Sequence, residues 1–286
     1  SYDRMGNLIK KVLPNESGKN KGDDRAYEFV YDAMDRLIQT TDPLKNVFAL
    51  KYDLNGNLIK EINANFFDGK KEDGIGIEYI YDKNNRRIKT VLPTGHISRT
   101  KYDAVGNIIK TIEPGKYNPD EDNGPGMEYT YDSMNRLTSI KDAEGNTLKE
   151  YVYNSDGLVI KETDANKLET LYKYNDAGWL LEKRTAVEEN AGKKLYSVES
   201  YSYDRAGRRI EEKRSIQKVN EKETPAKWNT IRYEYDKNSR IVKISDSTGA
   251  QMEYGYDCLG NRTLERIRIN NKTYRTIRYS FDSLGR

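Results

Sequence analysis

"YDLNGNLIK", residues 52–60, has a near copy fifty residues earlier, "YDRMGNLIK" at 2–10, and another fifty residues later, "YDAVGNIIK" at 102–110. Self-similarity at a fixed period marks repeat architectures and governs how every other motif is read. The tyrosine of this stretch recurs at Tyr2, Tyr31, Tyr52, Tyr81, Tyr102, Tyr131, Tyr153, Tyr174, Tyr203, Tyr235 and Tyr256, and as Phe281. The first intervals alternate strictly between 29 and 21 residues, so the N-terminal half is built from a 50-residue pair of unlike sub-repeats.

Asp or Asn follows each of these aromatics, and the fourth residue after it is Gly eight times out of twelve. At the other four places stand Asp35, Asn85, Asn135 and Ser239. Asp and Asn are the side chains that best tolerate positive φ, so the column reads as a left-handed backbone position. Asp three residues before it suits the opening of a type I turn. Asp-x-x-Gly is therefore a three-residue hairpin loop ending in a glycine bulge, with Ser239 fitting least well. Tyr2-Asp3-Gly6, Tyr52-Asp53-Gly56, Tyr102-Asp103-Gly106 and Tyr203-Asp204-Gly207 carry the motif in its fullest form.

The flanks have strand character. A second aromatic lies two residues before the motif tyrosine in nine of the eleven places where it can stand, which puts both rings on one face of a strand. The seventh residue after the tyrosine is β-branched in all but one copy. The register places each tyrosine opposite the residue six further on, with the β-branched column on the other face. Far-end turns come from "DAEGN" (142–146) and "DSTG" (246–249), whereas "DPLKN" and "LPTG" use proline or glycine differently. "AVEENAGKK" makes one helical turn at most. These features predict an all-β chain of repetitive antiparallel hairpins, a single continuous array over residues 1–286.

Hydrophobic residues make up 35% of the chain and charged residues 33%, too little apolar material for a thick core. Of the 23 tyrosines, 19 occupy the two motif columns, which argues against disorder and for a thin wall, packed within the sheet yet wet on at least one side. The balance of 49 basic to 46 acidic residues, interspersed in sign, offers no nucleic-acid footprint. No secretory signal or membrane-spanning run is present. The chain opens and closes inside a repeat and reads as an excerpt of a longer protein.

Candidates for chemistry are few. His96 is the only histidine and Cys258 the only cysteine, which leaves no His/Cys zinc set and no internal disulfide. The motif aspartates are explained by turn geometry. No catalytic, cofactor or metal residue is therefore assigned. "NPDEDNG" places Asn118, Asp120 and Asp122 at alternate positions but lacks the spacing and terminal Glu of a calcium-binding EF-hand loop. Three long polar insertions, at 14–25, 63–76 and 113–126, fall at one phase of the repeat and should emerge from the same sheet edge. Phe66, Phe67 and Tyr117 on them are candidates for contact with a glycan or a cell-surface protein. The alternative is that these rings fold back over the sheet edge.

Written as Tyr-x-Tyr-Asp-x-x-Gly-Arg/Asn-Leu/Ile, the unit resembles the tyrosine-aspartate (YD), or Rhs, repeat, most clearly in "YSYDRAGRRI" (201–210) and "YEYDKNSRIV" (233–242). It departs from it in the alternating spacing and in "YVYNSDGLVI", where Asn154 and Leu158 replace the usual Asp and Arg. Similar repeats occur in bacterial Rhs polymorphic toxins, wall-associated toxins, shell components of insecticidal toxin complexes, and teneurins. The resemblance implies a curved, spiralling sheet, part of a hollow shell or tube, that encloses a toxin or effector cargo domain of the same or a companion chain. It further implies a non-enzymatic scaffold, secreted or on the bacterial cell surface, whose terminal strand edges invite end-to-end self-association. A carbohydrate- or protein-binding surface module is the alternative function.

Overall fold

A computed structural model describes residues 1–13, 25–64, 74–190, 193–270 and 272–282, without the side chains of 188–190 and 193. Phe66 and Phe67 lie outside the described residues. The described residues form 23 β-strands and no helix. They divide into two compact units, Ser1–Thr130 with Ile140–Asn146, and Tyr131–Ser139 with Thr147–Arg286.

In the first unit, consecutive strands pair antiparallel as a meander, for example Ala26–Tyr31 with Leu37–Thr41, and Val47–Tyr52 with Leu58–Ile62. Tyr31 stands opposite Leu37, Tyr52 opposite Leu58 and Tyr102 opposite Ile108, each six residues on. The ladder then shifts by one: Val30 faces Gln39, Lys51 faces Lys60 and Lys101 faces Lys110. The unpaired extra residue in each case is the β-branched one, Ile38, Ile59 or Ile109. The register of tyrosine with the residue six further on is as expected from sequence, but the β-branched column placed on the other face marks a β-bulge, a device that bends and twists a strand locally.

Every described motif loop closes alike. In the first, Asp3 N donates to Asn7 O at 2.9 Å and Gly6 N to Asp3 O at 3.3 Å. The fourth-position residue has positive φ whether it is Gly56 (+87°), Asn85 (+59°) or Ser239 (+62°), so Ser239 is a full member of the series. "DPLKN" and "LPTG" are also the same turn rather than different ones. Lys45 N donates to Asp42 O with Lys45 at φ +67°, and Gly95 N donates to Leu92 O with Gly95 at φ +81°. The Asp carboxylate is thus dispensable to the backbone path, since Leu92 takes its place.

The insertions return to the sheet at Ala26, Gly76 and Gly126. A β-carbon at Gly76 would lie 2.4 Å from Glu61 O, and one at Gly126 would lie 2.2 Å from Thr111 O. Ile62 and Ile112, each 2% exposed, are buried there. Elsewhere among the described residues of this unit burial is mostly partial, as along the whole of Ile97–Tyr102, although Ala49 is buried.

The second unit repeats the hairpin pattern and adds one departure. Strands Leu180–Asn190 and Lys193–Tyr203 run eleven residues each, so the described residues of "AVEENAGKK" lie on paired strands and not in a helical turn. Arg209–Ser215 pairs with only part of Lys193–Tyr203; the short strand Val219–Asn220 pairs with Leu195 and Tyr196 further out. Tyr196, Val198, Ala186 and Val219 are buried together beneath Trp228, Leu168 and Leu171. This small cluster contains the most deeply buried side chains of the unit.

Candidate functional site

The residues that recur through the chain converge at the turns, and their chemistry there is that of cross-linking. In the turn at Asp82, Oδ1 accepts from Asn84 N (2.9 Å) and Arg86 N (3.0 Å), while Oδ2 accepts from Arg86 Nε (2.8 Å) and Nη2 (2.7 Å). The Arg86 hydrogen bond, opposed by a desolvation cost and reinforced by the two amides, holds this carboxyl below its ordinary range. A carboxylate so fully engaged is a structural acceptor and has no lone pair directed at a substrate.

Arg86 is held on its own Asp by one edge of the guanidinium and reaches forward with the other. Its Nη1 donates to Asp103 O of the next turn at 3.2 Å, and its Cζ lies 4.6 Å from the centre of the Tyr102 ring. Tyr102 in turn sends its hydroxyl back to Arg87 O, at 3.2 Å. The same reciprocal link joins Arg136 to Asn154 O and Tyr153 to Leu137 O, and Arg240 to Asp257 O and Tyr256 to Ile241 O. A planar, five-donor guanidinium is the one side chain that can grip a carboxylate, a carbonyl and a ring face at once.

At Asn7 and Asn57, the fifth residue after the tyrosine, the amide divides its two protons. Asn57 Nδ2 donates to Asp53 Oδ2 at 2.8 Å and to Asn85 Oδ1 at 2.9 Å. Asn7 bridges Asp3 and Asp35 in the same way. Two turns use apolar contact instead: Leu158 lies against Gly178, and Trp179 packs over Gly207 and against Tyr203, with ring centres 5.4 Å apart. Sequence reasoning noted Arg or Asn at this column without giving it a role. The signal is legible in the first six copies, where Asn and Arg alternate from Asn7 to Arg136 in step with the alternating spacing.

The four full-motif sites named from sequence, at Tyr2, Tyr52, Tyr102 and Tyr203, all lie at such turns. Asp3, Asp53, Asp103 and Asp204 each accept the backbone amide four residues on, at 2.8, 2.8, 2.8 and 3.0 Å. Gly6, Gly56, Gly106 and Gly207 all have positive φ. Tyr203 Oη donates to Leu180 O at 2.9 Å. Gly207 is additionally confined, since a β-carbon there would sit 2.8 Å from Trp179 Cζ2.

Tyr117 does not stand free as a contact ring. Its hydroxyl donates to Asp122, and Lys89 Nζ lies 4.9 Å above the ring centre. Asp122 also receives both Arg99 Nε (3.0 Å) and Nη2 (2.9 Å), with Lys89 Nζ at 3.2 Å. Arg99 first, then Tyr117 and Lys89, keep this carboxyl far below its usual range against the cost of desolvation. The calcium-like spacing of "NPDEDNG" is thus used as a pin: Asp122 faces cations of the sheet, and Asn118 Oδ1 caps Asp120 N at 3.0 Å. Among the described residues, no cluster of three or more His, Cys, Asp or Glu could hold a metal. His96 is exposed and partnered by Thr94 at 3.1 Å, and Cys258 is exposed on a turn.

Two open grooves lie in the first unit, one of about 620 Å³ beside Ile59, Tyr79 and Tyr81, the other of about 430 Å³ beside Ile9, Phe29 and Tyr31. They are the same groove fifty residues apart, a product of the repeat.

An antiparallel array of Asp-turn hairpins linked by Arg, Asn and Tyr from turn to turn defines a tyrosine-aspartate repeat protein. The family model described as Teneurin YD-shell matches residues 59–219, and the chain belongs to that family. Among solved structures, the crystal structures of TcdB2-TccC3-Cdc42 and of TcdB2-TccC3 are similar in fold, each with a TM-score of 0.55, 14% identity, all of this chain covered and 17% of the other. TcdB2-TccC3 without its hypervariable C-terminal region gives a TM-score of 0.54 at 15% identity, again over all of this chain and 17% of the other. This chain therefore spans less than a fifth of the length of those it matches. No curated protein sequence matches it.

Proposed function

We propose that this chain is a stretch of structural wall, one continuous array of hairpins that curves within a hollow shell and encloses a toxin or effector domain supplied by the same or a companion chain. The observation that carries the reading is the turn-to-turn linkage. The repeated Asp, Arg and Tyr side chains are engaged by neighbouring hairpins, so the chemistry of the chain goes into holding the wall together. Its function is confinement: a hydrogen-bonded layer separates the cargo from its surroundings until delivery, and no substrate is turned over. Membership of the YD-shell family and likeness to TccC3 assemblies support this role, and a hypervariable C-terminal segment is the kind of cargo such a wall suits. The setting is a secreted or surface-exposed bacterial protein. No helix among the described residues is long and apolar enough to cross a membrane.

The test is protease protection in the longer protein that carries the array. The enclosed domain should resist digestion while the array is intact and become sensitive when Arg86→Ala and Arg136→Ala open two links. A cargo digested equally fast in both proteins contradicts the proposal.

The second reading is a glycan- or protein-binding surface built on the insertions at Phe66, Phe67 and Tyr117 and on the repeated grooves. It predicts a reproducible glycan-array signal that disappears with Tyr117→Ala or with the paired Phe66→Ala and Phe67→Ala change. The engagement of Tyr117 by Asp122 and Lys89 favours the wall.

A further inference from the structure

At seven junctions among the described residues where Asn or Arg stands at the fifth position of one turn, that residue and the left-handed residue of the next turn are matched. In the first unit, Asn7 meets Asp35 and Asn57 meets Asn85, each through an Nδ2–Oδ1 hydrogen bond, at 2.8 and 2.9 Å. Arg36 meets Gly56 and Arg86 meets Gly106, where the guanidinium bypasses the left-handed residue and takes a main-chain oxygen, at 3.0 and 3.2 Å. In the second unit, Arg136 and Arg240 again meet glycines, Gly157 and Gly260. Arg208 meets Ser239, whose short side chain accepts from Nη1 at 3.1 Å.

Reach explains the matching. An Asn amide is too short to arrive at the next turn's main-chain oxygen, so it needs a partner that offers a side-chain acceptor at the left-handed position. An Arg is long enough, and it occupies the space that such a side chain would need. A β-carbon at Gly56 would lie 3.9 Å from Arg36 Nη1, and one at Gly106 would lie 3.7 Å from Arg86 Nη1. A β-carbon fits there, but the further atoms of an Asn or Asp side chain would extend into the space the guanidinium fills on its way to the main-chain oxygen, whereas the single γ-oxygen of Ser239 is taken up as one more acceptor. Both residue types remain compatible with positive φ, so the turn alone does not choose between them.

We infer that these two positions form a pairing code that specifies which hairpin docks beside which, Asn selecting Asp or Asn and Arg selecting Gly or Ser. The code fixes the order and register of hairpins whose strands are otherwise near copies, a setting in which mispairing between repeats is the expected failure. It holds independently of what the wall encloses.

A mutant cycle on the full chain tests this, using Asn57→Arg, Asn85→Gly and the double variant, each followed by thermal unfolding. Asn57→Arg alone sets a guanidinium against Asn85. The double variant recreates the Arg-over-Gly match and should melt at least about 2–4 °C above Asn57→Arg, the shift that corresponds to roughly 1 kcal/mol in a domain of this size. The reciprocal change of Arg36→Asn with Gly56→Asn should show the same recovery over Arg36→Asn. Should Asn57→Arg fail to fold while the double variant folds, the code is supported in its strongest form. Midpoint shifts that merely sum, or a double variant that fails when Asn85→Gly folds, overturn it.

Discussion

The Arg86 guanidinium lies 4.6 Å from the centre of the Tyr102 ring on the next hairpin of the sheet, and each residue also hydrogen-bonds the other's backbone neighbourhood, Arg86 to Asp103 O and Tyr102 to Arg87 O. Removing Arg86 takes away a charge-assisted hydrogen bond and a cation–π contact together. Arg86→Ala should cost about 1–3 kcal/mol in denaturant unfolding, and Arg86→Lys should recover little of it, because an ammonium cannot span carboxylate, carbonyl and ring.

Tyr102→Phe keeps the ring under Arg86 and deletes only the bond to Arg87 O. A loss of about 0.5–1 kcal/mol is expected, smaller than for Arg86→Ala. Equal losses would show that the hydroxyl, and not the ring, carries the link.

Glycine substitutions at the left-handed position should rank by what the new β-carbon meets. Gly106→Ala pays chiefly for positive φ, about 1–2 kcal/mol. Gly207→Ala adds a 2.8 Å approach to Trp179 Cζ2 and should be clearly worse. Comparison of the two midpoints by circular dichroism checks the order.

The turns also set the acid stability. Asp32, Asp53, Asp82 and Asp236 are all held below the ordinary carboxyl range by donated hydrogen bonds. A carboxyl with a lowered folded pKa binds fewer protons folded than unfolded. Its contribution is therefore complete above the unfolded value near 4 and is lost as pH falls toward the folded value. Midpoints should be flat from about pH 6 to 5 and drop steeply below about pH 4 as parallel turns protonate. At the alkaline end burial, with the Glu162 and Glu169 charges, pushes the hydroxyls of Tyr172 and Tyr196 up to about 12. Stability should therefore decline as pH rises above about 10, and a spectrophotometric titration should show tyrosines that ionise late.

Much of this was legible in the sequence, for identifiable reasons. Turn chemistry is local, so Asp53 and Gly56 announce their loop without reference to anything distant, and Asn85 or Asp35 in place of glycine reveals the sign of φ. Ser239 was harder, because Ser is not an ordinary left-handed residue; its acceptance from Arg208 supplies a tertiary reason for the choice. The bulge at Ile59 was hidden, since a period-two reading cannot distinguish a β-branched residue on the far face from one left unpaired. The core around Tyr196 and Val198 was also out of reach, because it depends on Val219 returning across the long hairpin, a contact set by an insertion and not by the repeat. For Tyr117 the sequence left both a contact ring and a ring folded back over the sheet open, because the choice depends on Lys89 of a distant strand as well as on Asp122 of its own insertion.

The central claim is that hairpins are held to their neighbours turn by turn, and hydrogen exchange by mass spectrometry of the Arg86→Ala variant tests it most directly. In a nearest-neighbour array, protection should fall in the strands on either side of the broken link, Ile77–Tyr81 through Ile108–Ile112, and remain unchanged in Trp228–Tyr235 through Arg262–Ile269. Uniform loss of protection along the whole chain, or no loss beside the substituted turn, would contradict it.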